Sequence, residues 1–323
     1  MITSALSSSP SPHLVAEKDK RRMVTAGTLL VVYTNHKERV SDLSWSPDGR
    51  SIASASWDKT IQIWEATTGK HQLTYEGHAK RVHCVAWSPD GERLTSGSWD
   101  GTVQVWQRTS GTPLLTCEGP ESIVLAVAWS PDGTRIASGH WDGTVRLWQA
   151  ATGKQIGIYR GHKERVLAVA WSPNSAFVAS CSEDRTVQVW KSQNGACCTV
   201  YRGHLAQVNA VAWSPDGTRI ASGGNDKIVL VWEALTGQSI LLYRGHQWSI
   251  NDLAWSPDGR WIVSASDDMT AQVWDASSGQ PCLIYRGHAT GLYDFVECVA
   301  WSPDGTRIAS GNDDWQVHIW TAR

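Results

Sequence analysis

The chain of 323 residues has 41% apolar and 19% charged residues and a formal net charge of −2, an ordinary globular composition. A chain with this nearly neutral net charge lacks the excess of basic residues that is typical of nucleic-acid-binding proteins. No apolar run approaches the roughly 18 residues that a membrane-spanning helix needs. We therefore expect neither nucleic acid nor a membrane among its partners.

Residues 1–23 are expected to form a disordered leader. A Ser/Pro-rich stretch over 7–12 interrupts any signal-peptide core, and a charged run follows over 17–22. The seven cysteines are an odd number without metal-ligand spacing, which favours reduced thiols in a cytoplasmic protein. The neighbours Cys197 and Cys198 could form a vicinal disulfide, but two free thiols are favoured because such strained bridges are rare.

Residues 24–34 form the first predicted strand. They align with the end of a repeated unit near residues 66–75, since Gly27 lies 42 residues before Gly69. The last unit, in turn, stops three residues after Trp320 and lacks its fourth strand. We expect residues 24–34 to supply that outer strand and to leave no open sheet edge.

The rest of the chain repeats one unit seven times, marked by two series of tryptophans. In each series the spacing is 42 residues five times and then 46. Within a unit, short β-branched runs alternate with turn sequences such as Ser88–Gly91 and Thr109–Gly111, which predicts four strands of about five or six residues. The series are Trp45, Trp87, Trp129, Trp171, Trp213, Trp255 and Trp301, and Trp64, Trp106, Trp148, Trp190, Trp232, Trp274 and Trp320.

Three stretches of the unit resemble a known family. They read Tyr-Arg-Gly-His over 201–204, Val-Ala-Trp-Ser-Pro-Asp-Gly over 211–217 and Ser-Trp-Asp-Gly-Thr-Val-Gln-Val-Trp over 98–106. Residues 24–323 thereby resemble the WD40-repeat family, in particular its bacterial multi-repeat members. The resemblance implies an all-β fold, a seven-bladed β-propeller of four-stranded antiparallel sheets, here closed by the N-terminal strand.

The resemblance also implies a hydrogen-bonded chain of Trp, Ser, His and Asp in each blade. Blade three has Pro120 in place of its histidine, so we expect it to lack the chain and to be locally the weakest blade. The expected members are His36, His78, His162, His204, His246 and His288; Ser54, Ser96, Ser138, Ser180, Ser222, Ser264 and Ser310; and Asp58, Asp100, Asp142, Asp184, Asp226, Asp268 and Asp314.

This set has the residue types of a hydrolase triad, but its repetition favours a structural role. A triad needs one exposed nucleophile beside an oxyanion hole, whereas here each serine is tied to a tryptophan. Metal binding is not expected either, because the histidines lie in different blades and cannot converge to about 2 Å from one ion. We expect no catalytic residue and no cofactor.

The repeats are expected to differ in function-bearing residues on the face that carries the Gly-His and Trp-Asp loops, which we call the top face. In similar propellers, partners bind there through the residue before the conserved Asp and through two residues that flank the first Val of the inner strand. Trp and Arg are enriched in binding hot spots; alternatively, the tryptophans only follow the repeat consensus. The candidate binding residues are Trp57, Trp99, Trp141, Arg39, Arg81, Arg165, Leu125, Leu167 and Phe295.

The sequence therefore predicts a monomeric, noncatalytic scaffold that binds a protein or peptide on the top face. The alternative is an enzyme or small-ligand binder that uses the central channel, for which Asp42, His83, Asp252 and Glu297 are few and scattered. A third interpretation is an aromatic cage for methylated lysine or another cation, built from the three tryptophans.

Overall fold

The computed structural model describes residues 25–117, 119, 122–288, 291 and 294–322. They form 28 strands in seven antiparallel four-stranded sheets, the blades. No helix in the described part of the chain is long and apolar enough to cross a bilayer. The predicted leader of residues 1–23 and Pro120 lie outside the described residues.

The blades follow one another along the chain, each running from the inner to the outer strand. Blades 1 to 3 comprise β2 (Val40–Trp45), β3 (Ser51–Ser56), β4 (Ile61–Glu65) and β5 (His71–Tyr75); β6 (Val82–Trp87), β7 (Arg93–Ser98), β8 (Val103–Gln107) and β9 (Pro113–Cys117); and β10 (Val124–Trp129), β11 (Arg135–His140), β12 (Val145–Gln149) and β13 (Gln155–Tyr159). Blades 4 and 5 comprise β14 (Val166–Trp171), β15 (Phe177–Ser182), β16 (Val187–Lys191) and β17 (Cys197–Tyr201); and β18 (Val208–Trp213), β19 (Arg219–Gly224), β20 (Val229–Glu233) and β21 (Ser239–Tyr243). Blades 6 and 7 comprise β22 (Ile250–Trp255), β23 (Trp261–Ser266), β24 (Ala271–Asp275) and β25 (Pro281–Tyr285); and β26 (Val296–Trp301), β27 (Arg307–Asn312), β28 (Val317–Thr321) and β1 (Leu29–Tyr33).

The turn between the two innermost strands shows why the sequence folds locally in this way. In blade 1 the Asp48 carboxylate accepts hydrogen bonds from the Ser46 hydroxyl at 2.6 Å and from the Arg50 N–H at 3.0 Å. Gly49 has a φ of 68°, a left-handed conformation that glycine adopts without strain. The Ser-Pro-Asp-Gly sequence therefore closes a tight hairpin in the repeat.

Two kinds of tryptophan contact join neighbouring blades. The Trp45 indole donates to the Ala300 carbonyl of the preceding blade at 3.2 Å, and Trp87 donates to the Ser44 carbonyl at 3.1 Å. Trp64, in the second series, is fully buried and stacks on Tyr33 of the neighbouring outer strand with 4.5 Å between ring centroids. The same stack recurs in blades 2, 4, 5, 6 and 7 at 4.4–4.8 Å. The core is thus a series of seven interfaces between blades.

The ring is closed by the N-terminal strand, as predicted. β1 pairs antiparallel with β28, with Tyr33 opposite Val317, and it completes the sheet β1-β28-β27-β26. The Gly27 N–H also donates to the Thr321 carbonyl at 2.8 Å. Both ends of the described chain therefore belong to blade 7.

The adjacent cysteines on β17 are unbridged. Cys197 and Cys198 are exposed free thiols, whereas Cys84, Cys117, Cys181 and Cys298 are buried. The vicinal disulfide is absent from this strand of the described chain, as the sequence argument favoured.

Candidate functional site

The predicted polar residues meet in five blades. In blade 1, His36 lies with Nε2 2.8 Å from Ser54 Oγ and Nδ1 2.9 Å from Asp58 Oδ2, and the Trp64 indole N–H donates to Ser54 Oγ at 3.2 Å. In blades 2, 4, 5 and 6 the His–Ser distances are 2.8–2.9 Å and the His–Asp distances 2.8–3.0 Å. The residues concerned there are His78, Ser96 and Asp100; His162, Ser180 and Asp184; His204, Ser222 and Asp226; and His246, Ser264 and Asp268.

These contacts have a consistent donor and acceptor order. A carboxylate only accepts, so Nδ1 of His36 carries the proton that faces Asp58, and Nε2 shares a hydrogen bond with the Ser54 hydroxyl. Burial alone would raise the pKa of Asp58, but its hydrogen bond and charge interaction with His36 outweigh burial and hold the pKa well below its usual range. The same causes lower the pKa of Asp268 to about 2. Each serine hydroxyl is thus held between a ring and an indole, and each of these serines is fully buried, away from any substrate in solution.

Blade 7 departs from the predicted pattern at its aspartate. His288 Nε2 lies 2.7 Å from Ser310 Oγ, but Asp314 is exposed and lies 3.4 Å from the Gln316 amide nitrogen instead. His288 stacks on His318 with 4.0 Å between ring centroids, and its Nδ1 has no hydrogen-bond partner in the described structure. The expectation for Asp314 is therefore wrong, because the ring has turned toward a second imidazole rather than a carboxylate.

Blade 3 is built from residues that the sequence argument missed. His140 Nε2 lies 2.8 Å from Ser138 Oγ, which also accepts from the Trp148 indole at 2.7 Å. Asp142 accepts from Arg146 at 2.7 Å, and the arginine side chain is only 2% exposed. Blade 3 thus has a substitute Ser–His–Trp chain rather than none.

The space for Arg146 comes from an outer strand. Cys117 on β9 has the register position at which Tyr75 stands on β5, opposite the first residue of the neighbouring strand. A side chain at Gly119 would collide with the Arg146 guanidinium, just as one at Gly77 would collide with the Tyr75 hydroxyl. The guanidinium therefore fills the space that a tyrosine fills elsewhere. Four departures around the junction of blades 2 and 3, at positions 117, 120, 140 and 146, were the signal.

We expect these four departures to behave as one unit in stability measurements. Arg146→Gln alone should lower the free energy of unfolding by about 2 kcal/mol, because it leaves a cavity beside Trp148. Combined with Cys117→Tyr, Pro120→His and His140→Ser, the same change should lie within about 1 kcal/mol of the native value. Urea unfolding of the single and fourfold variants checks this; strictly additive losses would contradict it.

The candidate binding residues are positioned by the backbone of the top face. The Trp57 N–H donates to the Arg39 carbonyl at 3.0 Å, which ties the turn before Asp58 to the start of β2. The same 3.0 Å bond joins Trp99 to Arg81 in blade 2. Each tryptophan is therefore fixed beside the residue that precedes the inner strand of its own blade.

The three tryptophans form a continuous surface across three blades. The ring centroids of Trp57 and Trp99 are 6.0 Å apart, and those of Trp99 and Trp141 are 6.5 Å apart in an edge-to-face arrangement. The Arg81 guanidinium lies 4.1 Å from the Trp57 centroid and 5.1 Å from that of Trp99. Arg39 lies 4.9 Å from the Trp57 centroid and Arg165 3.1 Å from that of Trp141. We name these six residues (Trp57, Trp99, Trp141, Arg39, Arg81 and Arg165) the Trp–Arg arc.

Carboxylates of the chain neutralise part of the arc. Arg39 forms ion pairs with Glu297 and, at 2.9 Å, with Asp313, while Arg165 pairs with Glu183 at 3.2 Å. Burial raises the pKa of Glu297 to about 8, although Arg39 opposes that shift. The acid partners of Arg39 come from blade 7 and were not foreseen from the sequence.

Leu125, Leu167 and Phe295 lie in the wall of the axial channel. This channel has a volume of 660 Å³, and Arg39 and Trp57 also line it. Leu125 is buried and Leu167 is half-buried. The structure therefore places these three candidate residues in the channel wall, which the arc adjoins at Arg39 and Trp57.

The channel carboxylates serve the backbone. Asp42 accepts from the N–H groups of Leu43 and Val85, both at 2.8 Å, and Asp252 makes the equivalent bonds to Leu253 and Val299. Burial raises the pKa of Asp42 to about 8 and that of Asp252 to about 6. Both carboxylates join neighbouring inner strands. Within the described ranges no three His, Cys, Asp or Glu side chains are grouped closely enough to hold a metal ion.

Comparison with known proteins agrees with this architecture. The family model described as "WD domain, G-beta repeat" matches seven segments. Among curated relatives, the chain is 51% identical over 35 residues to "Probable cytosolic iron-sulfur protein assembly protein 1" of Cryptococcus neoformans, and 41% identical over 59 residues to "Ribosome biogenesis protein BOP1 homolog" of Monosiga brevicollis. It is also 44% identical over 41 residues to "Guanine nucleotide-binding protein subunit beta-5b" of Danio rerio. The segments matched by the family model are 27–65, 69–107, 111–149, 153–191, 195–233, 237–275 and 279–321.

These pairwise alignments are short. They cover 11%, 18% and 13% of this chain and only 8%, 7% and 10% of the respective relatives. All three relatives are eukaryotic, so the resemblance to bacterial members stays an expectation. The seven matched repeats and the seven blades show that this chain belongs to the WD40-repeat family.

Proposed function

We propose that this protein is a noncatalytic, monomeric, cytoplasmic interaction scaffold that docks a protein or peptide segment on the Trp–Arg arc. The observation that carries the proposal is the continuity of the arc, in which three indoles 6.0 and 6.5 Å apart are in contact with three guanidinium groups. Such a surface offers large apolar area and fixed charge at a low entropy cost.

The partial exposure of the arc supports this proposal over a purely structural role. Trp141 is 39% exposed, and Trp57 and Trp99 are half-buried, whereas Trp64 of the second series is fully buried. The relatives also have the names of an assembly protein, a biogenesis protein and a protein subunit, which agrees with a role among other macromolecules.

The central channel is the weaker candidate. An enzyme there would need free acids, bases or ligands, but the Asp42 and Asp252 carboxylates each already accept two backbone N–H groups. Glu297 is paired with Arg39. Because these side chains already have partners, they favour a structural role for the inner strands over a reaction site.

A peptide-display selection tests the proposed function. We expect the native protein to enrich a consensus with apolar and acidic residues, and we expect the triple variant Trp57→Ala, Trp99→Ala, Trp141→Ala to lose it. Each indole contributes about 1–2 kcal/mol at such a surface, so affinity should fall at least a hundredfold. Anisotropy titration of the enriched peptides measures the loss.

The matched control is the variant Trp248→Ala, Trp315→Ala. Both tryptophans are exposed, at 57% and 50%, and lie on the same face outside the arc. This variant should bind the peptides as the native protein does, and the melting temperatures of all three proteins should agree within a few degrees. Equal loss in both variants would contradict the arc as the docking surface.

A further inference from the structure

Arg81 differs from the other two arginines of the Trp–Arg arc. Arg39 holds Glu297 and Asp313, and Arg165 holds Glu183. Within the described part of the chain, no carboxylate forms an ion pair with Arg81, although the residue is half-buried and its guanidinium lies against the Trp57 and Trp99 rings. The centre of the arc therefore carries an uncompensated positive charge.

A comparison of blades 2 and 4 explains this difference. In blade 4 the residue before the conserved aspartate is Glu183, whose N–H donates to the Arg165 carbonyl at 3.1 Å and whose carboxylate pairs with the same arginine. In blade 2 the same backbone bond, at 3.0 Å, is made by Trp99. The fold thus places a residue beside the arginine in both blades, but only blade 4 supplies an acid.

The surroundings of Arg81 select the class of ligand. The Trp57 and Trp99 rings are tilted 53° to each other with 6.0 Å between their centroids, so they flank the Arg81 guanidinium without enclosing it. The N–H donors along a guanidinium edge match a planar carboxylate in a bidentate pair. The flanking Trp57 and Trp99 indole nitrogens are buried, so the half-buried Arg81 guanidinium supplies the donors that a docked segment can reach.

We propose that Arg81 binds the carboxylate of an Asp or Glu side chain of the docked segment, while the flanking indoles contact its apolar neighbours. This inference rests on the proposed function, because it concerns the same arc. It goes further by assigning the acid specificity to one residue.

The test compares peptides that the native protein enriches in the display selection with copies in which each acid is replaced by its amide. One acid-to-amide change should weaken binding to the native protein about tenfold to a hundredfold, the range expected for a charged hydrogen-bonded pair. The same change should have less than a twofold effect on the variant Arg81→Gln. A repeat selection on Arg81→Glu should enrich Lys or Arg in place of the acid.

The control is Arg185→Gln, an exposed arginine on the same face and outside the arc, which should keep the native preference. If the peptides need the three tryptophans but bind the native protein and Arg81→Gln equally, the carboxylate assignment is overturned and the proposed function stands. If no peptide is enriched, the proposed function fails and the assignment with it. If a phosphoserine peptide binds more than tenfold tighter than its Asp or Glu counterpart, the ligand group is phosphate and the carboxylate assignment is overturned.

Discussion

Removal of residues 24–34 should abolish the cooperative unfolding transition, whereas removal of residues 1–20 should leave it unchanged. The first deletion takes away β1, exposes the edge of β28 and removes Tyr33, which stacks on Trp64 and donates to Gln62 at 2.6 Å. Domain stability is commonly only 5–15 kcal/mol, so the loss of a whole strand, with its buried side chains Val31 and Tyr33, should unfold the ring. Circular dichroism during thermal unfolding measures both deletions.

A milder pair of variants separates closure from a general effect of truncation. Tyr33→Ala should lower the free energy of unfolding by about 3–5 kcal/mol, as expected for a buried aromatic side chain. Its neighbour Thr34 is exposed, and Thr34→Ala should change it by less than about 0.5 kcal/mol. Equal melting temperatures for the two deletions would refute closure by β1.

The second large effect is a pH-dependent loss of stability at the His–Asp pairs. Asp58→Ala should lower the free energy of unfolding by about 3 kcal/mol at pH 7, because the carboxylate accepts from His36, Lys37 and Thr60. The penalty should shrink as the pH falls below about 4. Urea unfolding of the native and variant proteins between pH 7 and pH 3 measures this trend.

The sign follows from the depressed pKa of Asp58. A folded pKa below the unfolded value stabilises the protein at pH values above the unfolded pKa, and this stabilisation is lost as the pH falls through the folded pKa. Asp100, Asp184, Asp226 and Asp268 have pKa shifts in the same direction. Burial also lowers the pKa of His83 to about 4, so its contribution is lost as the pH falls from about 6.5.

Asp314→Ala is the matched control for this effect. Asp314 has the equivalent position in blade 7, but it is exposed and makes no hydrogen bond to His288. Its replacement should lower the free energy of unfolding by less than about 0.5 kcal/mol at every pH. A pH-independent penalty for Asp58→Ala would contradict the linkage.

The fold was predictable because the information about it is periodic. A tryptophan spacing of 42 residues, a turn sequence in each unit and a fourth strand displaced to the N-terminus together determine the number of blades and the way they close. The register of Tyr33 against Trp64 follows from the same spacing, because Tyr75 stands 42 residues later and stacks on Trp106. A sequence with strong repeats shows the same pattern in every unit, so each predicted strand and turn is supported several times.

The site was predictable only for residues whose place in the fold follows from their position in the repeat. The tryptophans before each aspartate could be read from the repeat, whereas the acid partners of Arg39 lie more than 250 residues away in sequence and meet it only across the closed ring. In blade 3, Pro120 predicted a loss, yet His140 and Arg146 replace the missing contacts, since several substitutions share one buried space. Such compensation depends on side-chain volume and direction, which the spacing of residues along the sequence does not reveal.

The pairing of β1 with β28 also has a consequence for biosynthesis. Leu29 pairs with Trp320 in the sheet, so β1 stays unpaired until residue 320 has been synthesised. At translation rates of roughly 5–20 residues per second, this delay is on the order of 15 to 60 s. Throughout this interval β1 is an unpaired apolar segment of the nascent polypeptide. The ring therefore closes only after residue 320 has been synthesised, and quality control that acts before that point meets an open ring.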